Sequence, residues 1–175
     1  MFNQIEFSHP VAHYSCWFDE SYRQSEDIEC WTRIALTTKA GFGCIPEPLT
    51  LYRVNADGLS ANTDVQLATW RRFRDKVATI DPEFARRIAP CSEAYQLRYL
   101  ARRAIFSGDS KRAVGFAFGA LRYWPGILWE EPRKTLVTLL GALAIAVMPQ
   151  KIIGKLREAM ASNRAAPLPA ISKEA

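Results

Sequence analysis

The chain has 175 residues, 49% of them hydrophobic and 23% charged, with a formal net charge of +5; this apolar content excludes a disordered chain and is enough for one folded core or a half-domain with a helical extension. Its four cysteines (Cys16, Cys30, Cys44 and Cys91) form no Cys-x-x-Cys pair and it has two histidines, His9 and His13, which excludes a zinc module or a disulfide scaffold and leaves free thiols in a reducing cytoplasm as the expectation. The moderate positive charge suits an anionic membrane surface or a nucleotide sugar as well as nucleic acid and does not choose between them; no nucleic-acid-binding signature accompanies it, and no nucleic acid is expected as a partner.

Residues 1–15 lack the basic and apolar regions of a signal peptide. His9 and His13 have helical spacing, but Pro10 biases His9 away from helical geometry, so ordinary polar residues in a strand or loop are expected. The chemistry gathers in residues 17–36, where Asp19, Glu20, Glu26 and Asp27 fall within nine residues and Glu29 follows. Ser25 is a candidate N-cap, and Ile28, Trp31 and Ala35 follow at helical spacing, so a helix is predicted to start with Glu26 and Asp27 in its first turn. Two readings of these acids stand side by side. Carboxylates at a helix N-terminus are stabilised by the macrodipole, by about 0.3–1 kcal/mol each, and need no further role. Alternatively, a carboxylate held ionised there beside Phe18 and Trp31 is a positioned general base.

Residues 39–43 read as a helix stop, with Gly41 or Gly43 able to take the left-handed conformation. Pro46 and Pro48 enforce an extended path, residues 49–54 read as an edge strand, and residues 55–58 carry turn chemistry. An ion pair is the plain structural reading of Arg53, and an N-cap is that of Ser60 or Thr63.

Taken in order, Phe18-Asp19-Glu20-Ser21, then residues 26–35 from Glu26-Asp27 to Ala35, then Ile45-Pro46-Glu47-Pro48-Leu49, Tyr52-Arg53 and Ser60 resemble the Phe-Asp-Glu and Glu-Asp elements, with the strand and loop after the Glu-Asp helix, in family 2 of the inverting GT-A-type glycosyltransferases. The resemblance covers residues 16–62, with Cys16 where the family often has glycine. It implies that Asp27 is the catalytic base with Glu26 beside it. It further implies that Asp19, Glu20 and Trp31 lie on the acceptor side, and that Arg53, Asn55 and Ser60 bind the donor's diphosphate. In the complete family an Asp-x-Asp motif holds a divalent metal, Mg or Mn; this chain has no Asp-x-Asp, and Asn55 stands where a metal-reaching histidine is common, so this chain alone is not expected to hold the metal. The expectation is the C-terminal portion of such an enzyme, inactive without a nucleotide-binding half, acting in polysaccharide assembly on a nucleotide sugar and a hydroxyl acceptor.

From residue 64 the pattern is helical. Trp70, Phe73 and Val77 form an apolar stripe, with Arg71, Arg72, Arg74 and Lys76 expected to face outward. Residues 93–125 resemble one tetratricopeptide-type hairpin, with Leu100, Ala101 and Ala104 on one helix, Gly108-Asp109 at the turn and Ala113, Ala117 and Ala120 on the next. Residues 132–148 are the most apolar run but too short to span a bilayer. Flanked by Arg133, Lys134, Lys151, Lys155 and Arg157, they read either as an interfacial helix on anionic lipid or as a buried core helix.

The predicted class is therefore α+β and mostly helical: residues 1–62 a partial GT-A glycosyltransferase region, 63–131 a helical extension, 132–160 an apolar helix and 161–175 a disordered tail. Function divides between a glycosyltransferase part, cytoplasmic or peripheral on the inner membrane face, and a non-catalytic membrane-associated helical adaptor.

Overall fold

A computed structural model describes residues 18–39, 41–43, 45–47, 49, 62–149 and 151–155. Six helices follow one another among them: α1 (Glu26–Thr37), α2 (Thr63–Ile80), α3 (Pro82–Ser107), α4 (Ser110–Tyr123), α5 (Ile127–Glu130) and α6 (Pro132–Val147). The protein is thus mostly helical, and no strand occurs among the described residues. Most of the predicted strand over residues 49–54 and all of the tail 161–175 lie outside them.

Helix ends follow the side chains that satisfy their backbone groups. Asn62, not Ser60 or Thr63, caps α2: its side-chain oxygen accepts from the N–H groups of Asp64 and Val65, each at 3.1 Å. Asp81 caps α3 through Phe84 N–H at 2.9 Å, with Pro82 at the first helical position, where no N–H is required. α3 runs through Pro90 instead of beginning near Glu93; its first turns are held by Phe84 and Ala85 packing on α2, and tertiary contact overrides the proline. At its far end Gly108 takes φ 76°, the left-handed cap that favours glycine, and Asp109 caps α4 by accepting from Arg112 N–H at 3.0 Å. The turn lies where the sequence placed it.

Three apolar clusters run along α3. Tyr22, Phe73, Val77 and Ala85 join the loop before α1, α2 and the start of α3. Ala94, Leu97, Ala120 and Ile127 join the middle of α3 to α4 and α5. Ala101, Ala104, Ala113, Ala117 and Ala142 join the end of α3 to α4 and α6. The alanines bring α3 and α4 close enough for the larger Ile105, Val114 and Phe116 to fill the margins. Buried Arg98 ties α3 to α6 by donating to Thr135 Oγ1 at 3.0 Å and pairing with Glu131; Thr135 in turn donates to the carbonyls of Ile127 and Glu131. α6 has its buried face lined by Thr135, Thr138 and Ala142, while Leu136, Val137, Leu140 and Leu143 point outward. No helix among the described residues is long and apolar enough to cross a membrane.

Candidate functional site

α1 is short, and its position is set by one buried face. Glu29, Cys30, Arg33, Ile34 and Thr37 point inward. Glu29 and Arg33, one turn apart, pair at 2.8 Å inside the protein, at 2% and 4% side-chain exposure. Two carboxylate charges would be costly so close in the interior without cations, and α2 supplies one. Lys76 Nζ lies 2.8 Å from Glu29 Oε1 and 2.7 Å from Asp19 Oδ2, so a single ammonium bridges the loop before α1 to α1 itself.

The loop is fixed further. Asp19 Oδ1 accepts from the N–H and hydroxyl of Ser21, and Arg72 donates to Ser21 O at 3.0 Å and Ser21 Oγ at 2.7 Å. The Arg72 guanidinium also lies 4.5 Å from the Tyr22 ring centre, a cation–π contact. Lys76, and after it Ser21, hold the Asp19 carboxyl down at about 2. Asp19 is therefore a structural anion whose two oxygens are engaged. Arg72 is exposed, as expected, and reaches this loop from the surface, whereas Lys76, also expected to face outward, is drawn in to clamp α2 to it.

Asp27 and Trp31, one turn apart, lie on an exposed side of α1, while Glu26 is exposed as the first residue of the helix, in register with buried Cys30 and Arg33. Ser25 precedes the helix in the left-handed region, φ 59°, and makes no side-chain cap; a capping hydroxyl needs extended backbone to reach the first turn. Asp27 Oδ1 accepts instead from Ile28 N–H at 2.8 Å. Glu20 is exposed on the preceding turn. Around these acids lies apolar surface: Phe18, Ile28, Trp31, Phe42 and Ile45 are all exposed, with Trp31 and Phe42 in edge contact, ring centres 6.3 Å apart. Gly41 and Gly43 play no part in ending the helix. It stops because Thr38 turns extended, while the Thr37 and Thr38 hydroxyls satisfy the carbonyls of Arg33 and Ile34, each at 2.8 Å.

Thus Glu20, Glu26, Asp27 and Trp31 are all exposed, of which Asp27 and Trp31 share one side of α1, and Asp19 is held by Lys76 and Ser21 instead. Arg53, Asn55 and Ser60, like His9, His13, Cys16 and Cys44, lie outside the described residues.

A second polar centre, which the sequence did not signal, sits between α2 and α3. Glu93, 1% exposed, accepts from Trp70 Nε1 at 3.2 Å and pairs with Arg71 at 3.3 Å and Arg74 at 3.5 Å. Cavities flank the Trp70 ring. One of about 210 Å³ lies among Ile28, Thr32, Phe73 and Phe84, and a broader one of about 530 Å³ lies among Arg87, Cys91, Tyr95 and Trp124. Neither is lined by Asp27 or Glu26. Burial pushes the Cys91 thiol up, as it does Cys30, so neither is poised as a thiolate nucleophile. Among the described residues no three histidine, cysteine or acidic side chains converge as a metal donor set.

No protein-family model matches the chain, and no curated protein or solved structure matches it either.

Proposed function

We propose that residues 1–62 are the acceptor-side, C-terminal part of a GT-A-type inverting glycosyltransferase, with Asp27 as the general base. The observation that carries this reading is the run of family-like elements in the sequence, with Asp27 in the first turn of α1; the Asp27 carboxyl is exposed there and lines neither of the two cavities beside Trp70. The order of the Phe-Asp-Glu, Glu-Asp and Tyr-Arg elements supports it.

In the proposed reaction an acceptor hydroxyl oxygen forms a bond to the anomeric carbon of a nucleotide sugar as the bond from that carbon to the diphosphate breaks. Asp27 takes the hydroxyl proton, and inversion results from attack opposite the leaving group. Arg53, with Asn55 and Ser60, would meet the charge that accumulates on the diphosphate.

The test is reconstitution of the full chain with the polypeptide encoded directly upstream, using radiolabelled nucleotide sugars and hydroxyl acceptors. Transfer that falls about 100-fold or more in Asp27→Asn, at unchanged melting temperature, supports the reading. Transfer undiminished in Asp27→Asn, or an upstream region that encodes no nucleotide-binding half, overturns it and leaves the helical adaptor.

A further inference from the structure

α6 divides its large side chains between two faces. The face toward α3 and α4 is built from Thr135, Thr138 and Ala142, each 2% exposed or less, with Leu139 and Ile145 packed at its margins. The outward face carries Val137 at 69%, Leu140 at 65% and Val147 at 86% exposure, flanked by Leu136 and Leu143. At 100° per residue these five positions fall within one stripe along the whole helix. Each buried threonine hydroxyl bonds a carbonyl, so the inward face leaves neither hydroxyl unsatisfied.

What covers the outward stripe is indicated by charge. The sequence from residue 132 to residue 157 contains Arg133, Lys134, Lys151, Lys155 and Arg157 and no acid. Arg133, Lys134, Lys151 and Lys155 are exposed, at the two ends of the apolar run. The acids that precede it are engaged within the protein: Glu131 pairs with Arg98 and Lys134, and Glu130 accepts from Tyr95 and Trp124. Trp129, 78% exposed, stands just ahead of the helix, and Ile152, 47% exposed, just after it. Sixteen helical residues extend about 24 Å, short of the roughly 30 Å hydrocarbon core, so this stripe can lie along a bilayer but not cross it.

We infer that the outward face of α6 is a docking surface for an anionic lipid bilayer. The helix lies in the headgroup plane, the leucines and valines reach the acyl boundary, and the terminal lysines and arginines contact lipid phosphates. This surface is independent of Asp27 and of the sugar-transfer reading.

The full chain is to be sedimented with vesicles of phosphatidylcholine and phosphatidylglycerol in equal parts, and with pure phosphatidylcholine. Preferential binding to the anionic vesicles that weakens with salt is expected. Leu140→Glu should weaken it about tenfold or more, and Lys151→Gln with Lys155→Gln about fivefold per charge, all at unchanged melting temperature. Asp27→Asn should bind as the native chain does. Absence of binding to the anionic vesicles, or binding unchanged in Leu140→Glu, overturns the inference. So does a vesicle-free dimer that Leu140→Glu dissociates, since a second copy would then cover the stripe.

Discussion

Lys76 Nζ stands 2.7 Å from Asp19 Oδ2, across 57 residues of sequence, and the same ammonium reaches buried Glu29 at 2.8 Å. One cation therefore fixes both the loop before α1 and the inner face of α1. Lys76→Met removes it and leaves two carboxylates facing each other with Arg33 as the remaining close cation on Glu29. The expected loss is about 2–4 kcal/mol by urea denaturation, whereas Asp27→Asn on the exposed face of α1 should stay within about 0.5 kcal/mol. Equal effects from the two substitutions would show that α1 is not anchored this way.

Acid should reveal the same contact. The Lys76 hydrogen bond, with Ser21, lowers Asp19 from 3.8 to about 2. Above about pH 4 the carboxyl is ionised folded and unfolded alike, and its contribution is complete. As pH falls toward about 2 the unfolded chain takes up the proton first, and that contribution is lost. Melting temperature measured between these limits should fall more steeply for the native chain than for Asp19→Asn, and parallel profiles would separate Asp19 from the acid transition.

Much of this architecture was legible in the sequence, and the remainder fails for a physical reason. The apolar stripe of Trp70, Phe73 and Val77 and the alanines of α3 and α4 obey helical periodicity, so the helices and the turn at Gly108 could be read directly. Periodicity carries no knowledge of distant partners. Arg71 and Arg72 are exposed as their pattern suggests, but that Arg71 and Arg74 pair with buried Glu93, Arg72 with Ser21, and Lys76 with Asp19 and Glu29 depends on residues from elsewhere in the chain. For the candidate site, the placement of Glu26 and Asp27 in a first turn was visible, but the removal of Asp19 from it was not. Ser25 has the right side chain for a cap and the wrong backbone, a property no residue pattern encodes.

The orientation of α6 gives a sharper case, because its threonines and Ala142 face inward and its most apolar stripe outward, so hydrophobic periodicity alone aims it the wrong way. Ala142 is fully buried against the α3–α4 seam and Leu140 is mostly exposed. Ala142→Leu should therefore cost about 1–3 kcal/mol through overpacking, although it adds apolar volume. Leu140→Ala, the nominally harsher loss, should change stability by no more than about 0.5 kcal/mol. Denaturant midpoints in the reverse order would mean that the helix is turned the other way.

At the other end of the pH scale, Tyr95 reports on the contact between α3 and the segment around α5. Its hydroxyl donates to Glu130 Oε2 at 2.8 Å, and Glu130 Oε1 accepts from Trp124 Nε1 at 3.0 Å. Burial first, and the Glu130 carboxylate second, push the phenol up to about 12 from its ordinary 10. Below about pH 10 the phenol is protonated in both folded and unfolded chains, and the bond contributes fully. As pH rises from about 10 to about 12 the unfolded chain ionises first, and the native state loses that contribution. Glu130→Gln keeps an acceptor in place but removes the charge, so only the electrostatic part of the rise should disappear. Ultraviolet titration of the phenol should then show Tyr95 ionising between its ordinary value and that of the native protein. A Tyr95 titration that does not move in Glu130→Gln would assign the whole rise to burial and leave Glu130 holding Trp124 alone.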